Sequence, residues 1–167
     1  MSSELQHYLV VPFPELANVV EPWLERSTGS KPSGGVPAHV TLLAPCPDDA
    51  EAIADVLDGT RAFAVEFPQL RRFAATSTLY LAPEPAQPFV ALTEALVARF
   101  PDWPPYGGIH DAVVPHMTVT QGPARDEAEA ALAPALPLRG RACEAVLLVE
   151  VEPGRFEQAA RFPFLES

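Results

Sequence analysis

The sequence predicts an α+β fold of two pseudo-symmetric αβ lobes, each an antiparallel-rich sheet with helices outside and a central cleft between the lobes. Three observations carry this expectation. Short aliphatic runs with strand composition alternate with helix-length segments, and prolines or glycines mark the joints. The order of elements in the first half recurs in the second. Each half also holds a His–x–Thr step inside an aliphatic run, "VPAHVTLLAP" at 36–45 and "VPHMTV" at 114–119.

The elements run in order along the chain. "LQHYLVVPF" (5–13) reads as a buried strand. A helix is predicted over 15–28, where Leu16, Val19, Val20, Trp23 and Leu24 recur at helical spacing after Pro14. "STGSKPSGG" (27–35) is a loop, and "AHVTLLA" (38–44) a strand with Pro37 and Pro45 at its ends. "DDAEAIADVLDG" (48–59) has an Asp cap, an acidic first turn and a closing glycine, the signs of a short helix. "FAVEFPQLRRFA" and "STLYLAP" are expected to pair as antiparallel strands.

The second half answers with a helix over 87–100, bearing Phe89, Leu92, Leu96 and Phe100, a loop over 101–111 and a strand over 112–121. A short helix over 125–135 and two closing strands, "RACEAVLLVEV" and "RFEQAARFPF", complete the chain. His39 and His116 stand 77 positions apart, and the same step carries Asp48 onto Arg125 and 63–72 onto 140–149. Tyr8 and Tyr80 match at a shorter step of 72. One domain over 1–167 is expected, with lobe motifs at about 36–83 and about 112–163.

Composition narrows the function classes. The 167 residues are 48% hydrophobic and 20% charged, which argues for a packed core rather than disorder. No apolar run reaches the ~20 residues a bilayer crossing needs, and the N-terminus lacks the basic start of a signal peptide. A cytoplasmic monomer away from membranes is expected. Cys46 and Cys143 lack metal-ligand spacing and read as two free, buried thiols. The net charge of −11 disfavours binding along nucleic acid, while a small phosphate ester in a locally neutral pocket stays compatible with it.

The paired motifs carry the chemistry. Residues i and i+2 of a strand share a face, so His39 lies beside Thr41 and His116 beside Thr118. Val40, Leu42, Met117 and Val119 then face the helices. Across a pseudo-two-fold cleft, two imidazoles supply a general base and a general acid, because histidine titrates near neutrality. The two threonine hydroxyls can donate to the non-bridging oxygens of a phosphoryl group held between them. This set suits in-line displacement at phosphorus and needs neither metal nor cofactor.

Duplicated His–x–Thr strands in a two-lobed αβ chain resemble the two-histidine (2H) phosphoesterase superfamily. "VPAHVTLL" and "VPHMTV", with "LYLAPEP" and "FPDWPPYGG", are most similar to its bacterial 2′-5′ RNA ligase-like branch. The resemblance implies that His39 and His116 are the acid–base pair and that Thr41 and Thr118 bind phosphate. It also implies hydrolysis of 2′,3′-cyclic phosphodiesters, or making and breaking of 2′-5′ linkages, on small nucleotides or RNA ends.

Ordinary readings compete at the other positions. Thr120 is a β-branched strand residue. His7 and His110 read as solvated or internally satisfied rings ahead of cleft-rim residues, and Arg71, Arg72 and Lys31 as solvated charges by default that could add positive potential near phosphate. Tyr106 in "PPYGG" is a candidate substrate-lip residue able to stack on a base, or a turn aromatic packing over its loop.

Overall fold

The computed structural model describes residues 5–26, 37–73, 76–104, 114–153 and 155–166. The chain begins with β1 (His7–Pro12), a single 3-10 turn at Pro14–Leu16 and α1 (Ala17–Leu24). The predicted 15–28 helix is thus shorter, because Pro14 opens it as a 3-10 turn and Pro22 removes a hydrogen bond from its middle. β2 (His39–Cys46) and α2 (Ala50–Leu57) come next, then β3 (Phe63–Arg72) and β4 (Thr78–Glu84). Asp49 caps α2 by accepting from the Ala52 amide at 3.1 Å. Gly59, at φ +80°, turns the chain out of this helix in a conformation that disfavours a side chain.

The second half runs α3 (Gln87–Arg99), β5 (Met117–Gln121), α4 (Arg125–Leu132) with a 3-10 turn at Ala133–Ala135, then β6 (Leu138–Ala142), β7 (Glu144–Glu152) and β8 (Arg155–Pro163). The strands form two four-stranded antiparallel sheets, ordered β2-β1-β7-β8 and β5-β4-β3-β6. The strand expected over "RACEAVLLVEV" is two strands, one in each sheet, with the chain crossing at Cys143. Cys143 is exposed, contrary to the expectation of two buried thiols. Cys46 is buried, and burial with the nearby Asp48 charge pushes its thiol up to about 12.

The duplicated order is present, but sequence halves and sheets do not coincide. β3 follows β2 in the chain yet pairs with β4 and β6 in the second sheet, and β7 returns to pair with β1 in the first. The range of about 36–83 therefore holds one strand of the first sheet and two of the second, and that of about 112–163 holds two strands of each. Helices cross as well: α1, which follows β1, packs on β5, while α3, which follows β4, packs on β2. Both exchanges run through one main core containing Val20, Val40, Phe67, Leu96, Met117 and Leu147. Among the described residues no helix is long and apolar enough to cross a membrane.

Candidate active site

β2 and β5 are the outer strands of their sheets, and they come into contact where the two lobes meet. His39 and Thr41 lie on β2, and Thr118 lies on β5 with His116 immediately before it, so the duplicated motif converges on one seam. Val40, Leu42, Met117 and Val119 are buried in the main core, while His39, Thr41, His116 and Thr118 remain partly exposed on the other face. The expected division between core and site faces is thus observed.

Both strands bulge directly after the motif threonine. Val10 and Leu9 of β1 oppose Thr41 and Leu43, leaving Leu42 as the extra residue. Tyr80 and Leu79 of β4 oppose Thr118 and Thr120, leaving Val119 as the extra residue. An extra residue breaks the two-residue alternation and re-aims the side chains beyond it. Leu43 and Thr120 are consequently buried although they sit two positions beyond a site threonine. The bulge also takes Leu42 out of the ladder, and the buried Thr93 hydroxyl of α3 donates to its carbonyl at 2.7 Å.

The two imidazoles are held alike. His39 Nδ1 donates to the Pro37 carbonyl, and His116 Nδ1 to the Val114 carbonyl, each at 2.7 Å and each two residues back. A carbonyl only accepts, so both rings carry their proton on Nδ1 and proton exchange falls to Nε2. Residue 38 is anchored too: its amide donates to Glu21 of α1 at 3.0 Å, and its carbonyl accepts from Phe13 at 2.8 Å. Burial holds His39 below the usual imidazole value of 6.5, and the charge of His116 lowers it further, against the opposing pull of the Pro37 carbonyl. The influence of His116 on His39 means that the two rings lie within electrostatic range of each other.

Their surroundings differ. His116 sits in an aromatic corner, 4.9 Å from Phe73 and 5.6 Å from Tyr80 between ring centres and nearly perpendicular to the first. Phe73 and Tyr80 stack on each other at 4.2 Å. Ladder register continues Thr118 through Tyr80 to Arg71, so these three share the site face. Arg71 is steadied by Gln69, whose side-chain oxygen accepts from Nε at 3.0 Å and from Nη2 at 2.6 Å. The matching row in the first sheet is Thr41, Val10 and Val146, and it is apolar beyond the threonine. Val10 is thus the counterpart of Tyr80, two residues from the Tyr8 match suggested by sequence.

Motif and composition alone do not mark Phe73 and Tyr80 as site residues, nor do they separate Arg71 from Arg72. Their signal is parity with the motif across a ladder, which becomes readable only once β4 is known to lie between β3 and β5. Arg72, one residue on, faces α4 and pairs with Asp126 at 2.7 Å and Glu129 at 3.1 Å. His7 lies away from the seam, its Nδ1 bonded to the Leu5 carbonyl at 3.1 Å and its Nε2 3.6 Å from Asp48. Tyr106, His110 and Lys31 lie outside the described residues. Among the described residues, no three His, Cys, Asp or Glu side chains gather as metal ligands.

Two antiparallel sheets meeting at paired His–x–Thr edge strands define the class: a two-lobed α+β fold of the 2H phosphoesterase kind. The chain belongs to the 2′-5′ RNA ligase superfamily, whose family profile matches residues 12–153. No curated protein matches it by sequence. Escherichia coli LigT in complex with NADP+ superposes with a TM-score of 0.62 at 16% identity, covering 98% of this chain and 99% of LigT. LigT with 3′-AMP gives 0.61 at 16% identity over 96% and 99% of the chains. The crystal structure of a further phosphoesterase gives 0.63 at 14% identity over 98% and 99%. At such identities these likenesses speak for the fold.

Proposed function

We propose that this protein hydrolyses 2′,3′-cyclic phosphodiesters of nucleotides or oligonucleotide ends by two-histidine acid–base catalysis, without a metal. The observation that carries the reading is the pair of carbonyl-anchored histidines, each two residues from a threonine, on edge strands that meet. His39 is the base, because its environment favours the neutral ring. Its Nε2 takes a proton from water as the water oxygen bonds to phosphorus. The bond from phosphorus to the 2′ or 3′ oxygen breaks, and His116 Nε2 delivers a proton to that oxygen. The product is a nucleotide monoester. Thr41 and Thr118 donate to the non-bridging oxygens and hold the phosphoryl group between the rings.

The family's name favours a second reading, in which the same groups make or break 2′-5′ linkages in RNA. Making such a linkage sets a ribose 5′-hydroxyl in place of water with both histidines in the same roles, and breaking one is the reverse step, in which they exchange roles. The net charge of −11 favours small or terminal substrates over long strands. The solved LigT complexes hold NADP+, 3′-AMP and ATP, all small phosphate-bearing molecules.

The test is an assay of 2′,3′-cyclic nucleotides, cyclic-phosphate-ended oligomers and 2′-5′ dinucleotides with chelator present. Turnover of the cyclic esters, lost by at least about 10²-fold in His39→Ala and in His116→Ala, is the expected result. Turnover abolished by chelator would overturn the metal-independent mechanism. Tight binding without product over hours would make the protein a nucleotide-binding module instead.

A further inference from the structure

Beside His116 the site face of the second sheet opens into a groove of about 730 Å³. Alternation along β4 places Tyr80, Ala82 and Glu84 on its floor. Leu81 aligns with Met117 across the ladder, so Ala82 is the residue abreast of His116, and Glu84 lies two residues beyond it. That step is about 7 Å along a strand. Glu66 stands directly opposite Glu84, and Val114 and Pro115 line the groove on the His116 side.

The groove is polarised. Arg71 and Tyr80 stand at the end nearest Thr118, and two carboxylates at the far end, with the small Ala82 between. Arg139 pairs with Glu66 at 3.1 Å and offsets part of the acidity. The equivalent face of the first sheet is apolar. There Val10, Val146 and Leu148 are buried beneath Tyr8 and Phe156 as a separate apolar cluster.

We propose, on the footing of the reaction above, that this groove is the nucleoside subsite and that Glu84, with Glu66 across the ladder, selects guanine. Among the described residues, the groove over Ala82 is open space beside a phosphoryl group held between the histidines, and the nucleoside is placed there. A base laid there reaches the carboxylates with its outer edge. Ionised carboxylates only accept hydrogen bonds. Guanine alone among the four bases presents two adjacent donors, N1–H and the 2-amino group, which match the two oxygens of one carboxylate. Adenine and cytosine set an acceptor nitrogen beside their amine, and uracil flanks its single N–H with two carbonyls, so each brings a lone pair against the negative charge. Arg71 at the other end stays with the phosphate.

The experiment measures kcat/KM for the four 2′,3′-cyclic nucleotides with the wild type and with Glu84→Gln, alongside calorimetry with 3′-GMP and 3′-UMP. Guanine is expected to be preferred by about tenfold or more, as suits charged hydrogen bonds, and Glu84→Gln to remove most of that preference. Equal kcat/KM for all four bases overturns the subsite and leaves the reaction standing. Tighter binding of 3′-GMP that Glu84→Gln abolishes, without turnover of any cyclic ester, upholds the subsite and removes the reaction. A guanine preference unchanged in Glu84→Gln overturns the role given to the carboxylates.

Discussion

The two lobes share a motif, a bulge and a carbonyl anchor, yet their site faces have opposite character. Beyond Thr41 the first sheet offers Val10 and Val146, closed under Tyr8 and Phe156. Beyond Thr118 the second offers Tyr80 and Arg71, open to a groove. Symmetry is kept at the seam, where the proposed reaction needs one group on each side of phosphorus. It is broken one strand further out, where the proposed nucleoside would be received on one side only. Duplicated elements thus hold what must be paired, and divergence of the adjoining strands supplies direction.

The largest test of that contrast is at the seam. His39→Ala and His116→Ala should each lower kcat/KM by about 10²-fold or more. A loss confined to one of them would break the equivalence of the halves. Next come the neighbours of the threonines. Tyr80→Leu removes the partner on which Phe73 stacks and one wall around His116, and should cost about tenfold in kcat/KM.

Thr93→Val takes from the Leu42 carbonyl, at the bulge of the first site strand, the hydroxyl that donates to it from α3. It should cost about 1–3 kcal/mol in chemical denaturation. Tyr8→Phe, in the closed face, removes hydroxyl bonds to Gln6 at 2.8 Å and Glu150 at 3.1 Å. It should shift a denaturation midpoint by the worth of about 1 kcal/mol and leave KM alone. A KM effect at Tyr8 would show that the first face also receives substrate.

The smallest effect is electrostatic. His116→Gln removes the charge that helps hold His39 down, so the His39 titration measured by NMR should move upward toward 6.5. An unmoved titration would mean that the rings do not share a cleft. The same depression sets the sign for stability. The unfolded chain takes up a proton that folded His39 resists, so stability should decline as pH falls below 6.5 and level off once the folded ring is protonated.

Much of the site is legible in the residues. Polar side chains two apart in an aliphatic run are conspicuous, and their recurrence with matched flanks locates both site strands. Cap and breaker residues such as Asp49 and Gly59 act locally, so α2 can be read closely. The features that escape a sequence reading depend on which strands pair. The pairing of 63–72 with the strand that follows it is expected from the sequence and observed, but its joining β6 rather than β2 on the other side is decided by long-range packing. The Tyr8–Tyr80 match fails by two residues for the same reason. Adjacent buried residues Leu42 and Leu43 are the one local hint of a bulge, since a regular half-buried strand would alternate. Arg71 and Arg72 look identical in sequence, and strand parity alone sends one to the site and the other to α4.

The crossed helices bear on how the cleft behaves. α1 lies on β5 and α3 on β2, so moving the lobes apart would drag each helix off the strand it covers and wet side chains such as Val20 and Leu96. At about 25 cal/mol for every Å² of apolar surface exposed, such a motion is steeply uphill. The gap between His39 and His116 therefore works as a fixed caliper, set by the fold and not by the guest, and whatever enters is gauged against it.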